Sequence, residues 1–352
     1  MKKILYLGPS GIGDWCFIYP SLKALLAKYD AEKVDLIIPY PNAGNELLSH
    51  NELIGDIHYL ERQFRGFGLI RYLFRWLKRL QAVREGHYQA VVISFLSNQP
   101  DMLLLARLSS CHQRVGIHTQ TNWLQKSAIN RPVDAGDEQS RLTLHQRYAP
   151  EPQYQLLASP PFMPSHKMDD VTRLLQQHKI TRPYIVLGVG GGRNAAWRFW
   201  PASHYAELVN LGADFQWVIL GGGGDDQAQA QKIVRRISQQ ESVINLVDKT
   251  SMLDALALIS QAHAVVGNDS GIANLSAVMK VPTLALYGPT SAALTGPALN
   301  GAMVLESELP CRPCFDNQMN PEKAIRCPDR ECLKHITPQQ VYNRLPPLKN
   351  TE

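Results

Sequence analysis

The chain predicts an α/β protein of two doubly wound parallel-sheet domains, and three observations carry that expectation. Short runs rich in Val, Ile and Leu recur at residues 4–7, 34–38, 91–95, 184–188, 218–220, 264–267 and 283–287, with helical patterns between them. Continuous apolar runs of this length read as strands buried on both faces of a parallel sheet. The runs fall into two sets, and residues 143 to about 181 between them carry Pro150, Pro152, Pro160, Pro161 and Pro164, the composition of a linker. Polar turns stand at the carboxyl ends of several runs, where a doubly wound sheet binds its ligand. The expected domains are 1–165 and 166–352, two Rossmann-like halves facing a central cleft.

Length and composition agree. A chain of 352 residues with 45% apolar content is long enough for two cores of ordinary size. The formal charge of +5 favours anionic partners, although so small an excess is also ordinary solubility charge. The start, Met1-Lys2-Lys3-Ile4-Leu5-Tyr6-Leu7, imitates a secretory signal, but Gly8-Pro9-Ser10-Gly11 ends the apolar run far too early, so it reads as the first strand of a cytoplasmic protein. No run approaches the roughly 18 apolar residues of a membrane-spanning helix.

Taken in order, the first turn is Gly8-Pro9-Ser10-Gly11-Ile12-Gly13-Asp14, opening the helix that continues through residues 21–28. Its glycines permit a tight turn and close approach of a ligand, and the helix N-terminus favours negative charge. A dinucleotide site asks for an acid at the end of the second strand, and Val34-Asp35-Leu36-Ile37-Ile38-Pro39-Tyr40 ends without one. Asp14 has two readings: a base that takes a proton from a hydroxyl nucleophile, or an acid stabilised by the helix dipole. Residues 62–84 mix Arg62, Arg65, Arg71, Arg75, Lys78 and Arg79 with aromatic and aliphatic side chains. At helical spacing Leu69, Leu73, Trp76 and Leu80 fall near one stripe, the pattern of a helix packed on its domain or of a basic amphipathic helix on an anionic lipid surface or phosphorylated acceptor. No nucleic-acid-binding module accompanies it.

In the second half, Gly191, Gly192, Arg193 and Asn194 form a loop after a strand, Asp225 follows the glycine run 221–224, and Asn268-Asp269-Ser270-Gly271 lies between a buried strand and a helix. Such a turn presents backbone N–H groups to phosphate, and Asp269 also suits a helix N-cap. Cys311, Cys314, Cys327 and Cys332 give a C-x2-C-x12-C-x4-C array, which suits tetrathiolate zinc or iron, with free thiols or disulfides as the alternatives.

The order of Gly11-Ile12-Gly13-Asp14 with Tyr19-Pro20-Ser21-Leu22, His145-Gln146-Arg147-Tyr148, Trp197-Arg198-Phe199-Trp200-Pro201, residues 221–225, Asp269-Ser270-Gly271 and Tyr287-Gly288-Pro289-Thr290 resembles the family 9 glycosyltransferases over nearly the whole chain. The resemblance implies the two-Rossmann glycosyltransferase-B architecture. It also implies inverting transfer from a nucleotide sugar, typically ADP-heptose, to a lipopolysaccharide core or related glycan, with no cofactor for catalysis.

On this resemblance Asp14 is the catalytic base, with Gly13 beside it and Arg62 and Arg65 as acceptor contacts. Arg198, where the family usually has Lys, neutralises the departing diphosphate, and Gly191, Gly192, Arg193 and Asn194 lie near the same phosphates. Asp269 faces sugar hydroxyls and Ser270 and Gly271 face phosphate. Asp225 faces the ribose, and Thr250 and Ser251 lie near the base. Asn274 replaces the family's usual His, which bears on the donor's identity; a UDP- or GDP-hexose donor, or a non-catalytic nucleotide-sugar-binding protein, are the alternatives. Some relatives of autotransporter-heptosyltransferase type hold an iron on four cysteines near the C-terminus. Peripheral contact with the inner membrane surface is expected, and no nucleic acid.

Overall fold

In the computed structural model each set of apolar runs becomes one six-stranded parallel sheet. The structure describes residues 1–41, 44–61, 67–119, 122–137, 140–149, 170–192, 195–297, 302–315 and 322–348. The chain divides into two compact units, Met1–Gln155 and Leu156–Glu352.

The first unit opens with β1 (Lys3–Leu7), α1 (Ile12–Lys28), β2 (Lys33–Ile38), α2 (Asn45–Ser49), β3 (Ile54–Tyr59) and α3 (Phe67–Glu85). It continues with β4 (Val91–Ile93), α4 (Pro100–Leu108), β5 (Arg114–Ile117), α5 (Trp123–Ala128), β6 (Arg131–Val133) and α6 (Arg141–Arg147). The sheet order is β3-β2-β1-β4-β5-β6. Leu5, Leu7, Val91 and Ile93 are fully buried and meet Trp76 and Leu80 of α3 and Met102 and Leu105 of α4 in one core.

The second unit contains α7 (Val171–Gln177), β7 (Tyr184–Gly188), α8 (Ala202–Leu211), β8 (Gln216–Leu220), α9 (Gly224–Val234) and β9 (Val243–Asn245). After these come α10 (Met252–Ser260), β10 (Ala264–Asn268), α11 (Gly271–Val278), β11 (Thr283–Tyr287), α12 (Ala292–Thr295) and β12 (Met303–Glu306). Three short helices close it: α13 (Glu322–Ile325), α14 (Glu331–Lys334) and α15 (Pro338–Tyr342). Its order, β12-β11-β10-β7-β8-β9, is that of the first sheet counted from its own first strand. Both sheets therefore reverse direction beside their first strand, at β1/β4 and at β7/β10, which is where a doubly wound fold opens a ligand crevice.

The start of the expected linker belongs to the first unit. Residues 141–147 are helical and bind α1: Ser21 Oγ donates to the His145 carbonyl at 3.0 Å, and Lys28 Nζ to the Tyr148 carbonyl at 2.9 Å. Tyr148, fully buried, donates to the Ile93 carbonyl at 2.7 Å. The fourth strand ends at Ile93 instead of Phe95, because the chain turns at once and the Ser97 N–H bonds the Ser94 carbonyl at 2.8 Å.

Candidate functional site

At the first switch point the turn after β1 is shaped by two glycines. A Cβ on Gly8 would stand 2.6 Å from the Trp15 ring, whose Nε1 donates to the Pro9 carbonyl at 2.9 Å, so this indole locks the turn from beneath. Gly11 is the N-cap of α1 and offers no side-chain cap. Its missing Cβ leaves room for Asp14 Oδ2, which would lie 2.9 Å from it. The other oxygen, Oδ1, accepts from Arg141 Nη1 at 2.5 Å. Asp14 keeps 17% of its side chain exposed and Arg141 9%, so the carboxylate is anchored yet reachable. Its place in the first turn of α1 fits the helix-dipole reading of Asp14, and a carboxylate so stabilised is not barred from acting as a base.

Gly13, also in that turn, is half-buried, and Arg62 and Arg65 lie outside the described residues. Sequence reasoning missed Arg141; its one signal was its position a turn before the quoted His145. His145 is a core residue: Nδ1 lies 3.3 Å from the Tyr6 hydroxyl and the ring is 1% exposed. Burial, then the charge of Arg141, lowers it to about 3, so it is neutral in the fold.

The second switch point gathers more. Asn268, fully buried at the end of β10, accepts from the Trp200 N–H at 3.0 Å and the Tyr205 hydroxyl at 3.1 Å, and donates to the Val189 carbonyl at 2.9 Å. It fastens the loop after β7 to the end of β10. Gly191 permits that loop to close on the 3₁₀ turn at Ala196–Arg198, since a Cβ would stand 2.6 Å from the Ala195 carbonyl. Gly192 has φ +91°, a left-handed conformation suited to glycine. Arg193 and Asn194 lie outside the described residues.

Arg198 is held over the Trp197 ring, Cζ to centroid 4.5 Å, with Nη1 3.5 Å from Asp269 Oδ2. The N-cap of α11 is Ser270 and not Asp269, and no side chain caps this helix. The carboxylate of Asp269 is thus free of the capping role and pairs with Arg198. Tyr287 beside it has its phenol raised, by burial first and then by the charge of Asp269.

Five buried polar atoms here have no hydrogen-bond partner: Arg198 Nε, Asp269 Oδ2, Ser270 Oγ, Asn274 Oδ1 and Thr290 Oγ1, of which Asp269 Oδ2 keeps its ion pair to Arg198. Leaving the others unpaired costs about 1–3 kcal/mol each. Their concentration at the carboxyl ends of β7, β10 and β11, beside an uncapped helix N-terminus, is what an anionic polyol ligand would satisfy. Thr290 and Asn274 join the site beyond the predicted set.

The acidic pair after β8 separates cleanly. Asp226 is buried, its Oδ2 accepting from the Gly222 N–H at 2.9 Å, and burial raises its carboxyl. Asp225 is exposed in the first turn of α9. Asp248 Oδ1 accepts from the Gly223 N–H at 2.8 Å, bringing the loop after β9, with half-buried Thr250, against the glycine run. Ser251 caps α10, accepting from the Asp254 N–H at 3.1 Å, so its hydroxyl has a structural task.

Among the described residues no group of three or more His, Cys, Asp or Glu is placed to hold a metal ion, so the thiols of Cys311, Cys314, Cys327 and Cys332 do not form a ready tetrathiolate. Cys311 is exposed and Cys332 buried, yet the thiols lie within electrostatic reach: Cys314 is raised by burial and by Cys311 and Cys327, and Cys332 by burial and by Cys314 and Cys311. The segment also braces the site. The Cys314 N–H donates to the Pro289 carbonyl at 2.8 Å, Arg312 Nη2 donates to the Thr290 carbonyl at 2.8 Å, and Phe315 packs on Trp197 with ring centroids 5.3 Å apart. No helix among the described residues is long and apolar enough to cross a membrane.

The profile of glycosyltransferase family 9 (heptosyltransferase) matches residues 80–325. A lipopolysaccharide heptosyltransferase 2 of Salmonella typhimurium is 27% identical over 326 residues, covering 86% of this chain and 87% of that protein. The fold is similar to that of the E. coli ADP-heptose lipopolysaccharide heptosyltransferase II, with TM-score 0.72 and 23% identity over 98% of this chain and 97% of that one. It is also similar to that of an E. coli heptosyltransferase solved with ADP-2-deoxy-2-fluoro heptose, with TM-score 0.66 and 18% identity over 97% and 98% of the two chains. With its doubled Rossmann topology and its polar switch-point site, the chain belongs to glycosyltransferase family 9 and is a glycosyltransferase.

Proposed function

We propose that this enzyme transfers heptose from ADP-heptose, with inversion, to a lipopolysaccharide core or related cell-surface glycan at the cytoplasmic face of the inner membrane. The observation that carries the reading is the set of five buried polar atoms without hydrogen bonds, one of them ion-paired with Arg198, around Arg198 and the uncapped N-terminus of α11. The names of the relatives support heptose and ADP over other donors.

On this reading the first half, to about residue 165, holds the acceptor, with Gly13, Arg62 and Arg65 beside it. Asp14 takes the proton of the acceptor hydroxyl as its oxygen attacks the anomeric carbon from the face opposite the nucleotide. The glycosidic bond forms as the bond to phosphate oxygen breaks, and that electron pair leaves with ADP. One displacement gives inversion.

The second half holds the donor. Arg198, the loop of Gly191, Gly192, Arg193 and Asn194, and the N–H groups following Ser270 and Gly271 offset the charge gathering on the diphosphate, as preorganised dipoles do most effectively. Asp269 accepts from sugar hydroxyls while orienting Arg198. Asp225 meets the ribose, and Thr250 and Ser251 lie by the adenine. The test is a thermal-shift panel of ADP, GDP, UDP and dTDP and their sugars, since a ligand of the folded state raises its melting temperature. Selective stabilisation by ADP and ADP-heptose is expected; selective stabilisation by UDP or GDP sugars overturns the assignment.

A further inference from the structure

Helix α3 carries two apolar faces, and the fold uses one. Tyr72, Trp76, Leu80 and Val83 are buried against the first sheet, and α3 is pinned to α4 by Tyr72 Oη donating to Asp101 Oδ2 at 2.6 Å and Trp76 Nε1 to the Asp101 carbonyl at 3.1 Å. The stripe read from sequence was therefore half right. Leu69 and Leu73 are not in the core but exposed, with Ile70, Leu77 and Phe74, the last 73% exposed.

At about 100° per residue Leu73, Leu77, Ile70 and Phe74 share one arc, and Lys78 and Arg71 occupy the next. Arg71 and Lys78 are exposed and, among the described residues, have no anionic partner, whereas Arg75 pairs with Glu61 and Arg79 reaches His58. The helix holds five basic residues and a single acid, Glu85, at its last position. Exposed Leu104 and Leu108 of α4 lie alongside, where Arg84 Nε donates to the Leu108 carbonyl at 2.9 Å.

We infer that this outward face of α3 seats in the headgroup region of an anionic phospholipid bilayer, the apolar arc entering the acyl boundary and Arg71 and Lys78 meeting lipid phosphates. Charge complementarity selects this occupant: a large apolar arc flanked by Arg71 and Lys78, with Glu85 at the far end of the helix its one acid, matches a surface that is apolar within and negative at its rim. In a doubly wound unit α3 leaves the carboxyl end of β3, so the densest part of the arc, residues 69–77, lies toward the edge of the sheet that carries Asp14. The inference rests on the membrane-face location in the proposed function, and vesicle binding needs no turnover, so either can fail without the other.

The experiment is flotation of the full chain with phosphatidylcholine vesicles made with and without phosphatidylglycerol. The wild type is expected to partition at least about tenfold more strongly into the anionic vesicles. An Ile70→Ser/Phe74→Ser variant and an Arg71→Glu/Lys78→Glu variant, all at exposed positions and with unchanged melting temperatures, are expected to lose that partition. Absence of wild-type binding to anionic vesicles overturns the inference, as does undiminished binding by both variants. A wild-type dimer that the Ser variant converts to monomer overturns it too, since the face is then a contact between copies of this chain.

Discussion

Replacing Arg141 by Met removes the anchor of the proposed base while leaving the proposed donor-binding residues of the second unit untouched. Nη1 stands 2.5 Å from Asp14 Oδ1, with the two side chains 9% and 17% exposed, so little water replaces the lost partner. A hydrogen bond to a charged group contributes about 1.5–3 kcal/mol. In a unit of this size each kcal/mol lowers Tm by about 2–4 °C, so the transition of the first unit falls by about 3–12 °C. The kinetic effect is separate. A base displaced by ~1 Å costs on the order of 10²-fold in rate, so kcat drops by that order while the donor Kd is unchanged. Arg141→Lys keeps a cation but not the planar fork and recovers part of the loss. Calorimetry with ADP, thermal melts and steady-state kinetics measure the three quantities. A lower Tm with kcat within twofold of wild type would refute the reasoning, leaving Arg141 as a fastener of α6 to α1 and no more.

Gly11→Ala tests the other oxygen of the same carboxylate: the backbone at φ −70° accepts alanine, but the methyl would stand 2.9 Å from Asp14 Oδ2, so kcat falls about tenfold with Tm nearly constant, as misplacement of a base predicts. Equal kcat in the two proteins counts against a positioned Asp14. Arg198→Gln removes the positive charge from the donor site and weakens ADP binding by about 10–100-fold, the range of a charged hydrogen bond; an unchanged Kd by calorimetry takes Arg198 off the diphosphate. His145 gives a pH signature. Its folded value is depressed to about 3 against 6.5 for the free side chain, so the unfolded chain binds the extra proton between those values. Stability is full above about pH 6.5 and is lost as pH falls toward 3, by up to about 1.4 kcal/mol per pH unit. Urea melts of His145→Gln are expected to show a shallower decline from pH 7 to pH 5 than wild type, and identical slopes would contradict the assignment.

What was legible in the sequence follows burial. The strands read correctly are central ones such as β1, β7, β8, β10 and β11, whose residues are all or nearly all buried and so spell continuous apolar runs. The edge strands β3, β6, β9 and β12 passed unread, because half-exposed segments such as Arg131-Pro132-Val133 carry no such run. Inner β5, Arg114-Val115-Gly116-Ile117, passed unread because Arg and Gly interrupt its apolar residues.

The candidate site divides the same way. Asp14, Asp269, Ser270 and Gly271 stand out as candidates in sequence because each lies where a strand gives way to a helix, a local pattern. Arg141 reaches Asp14 across 127 positions, and Asn268, although inside the most telling stretch, acts through Trp200 and Tyr205, some 63–68 positions away; pairings of that range leave no mark in spacing. The cysteine segment carries a role its spacing does not announce: the Cys314 backbone N–H, Arg312 and Phe315 hold the turn around Pro289 and Trp197, partners more than 20 positions away.

The central claim is that a single carboxylate takes the acceptor's proton while the second unit holds the donor by itself. Single-turnover transfer from ADP-heptose by Asp14→Asn, with donor affinity measured on the same sample, tests it most directly. The account predicts a rate lower by about 10²–10⁴-fold, the range of a positioned base, with Kd for the donor within about twofold of wild type. Transfer at the wild-type rate, or a loss of donor binding that matches the loss of rate, contradicts it.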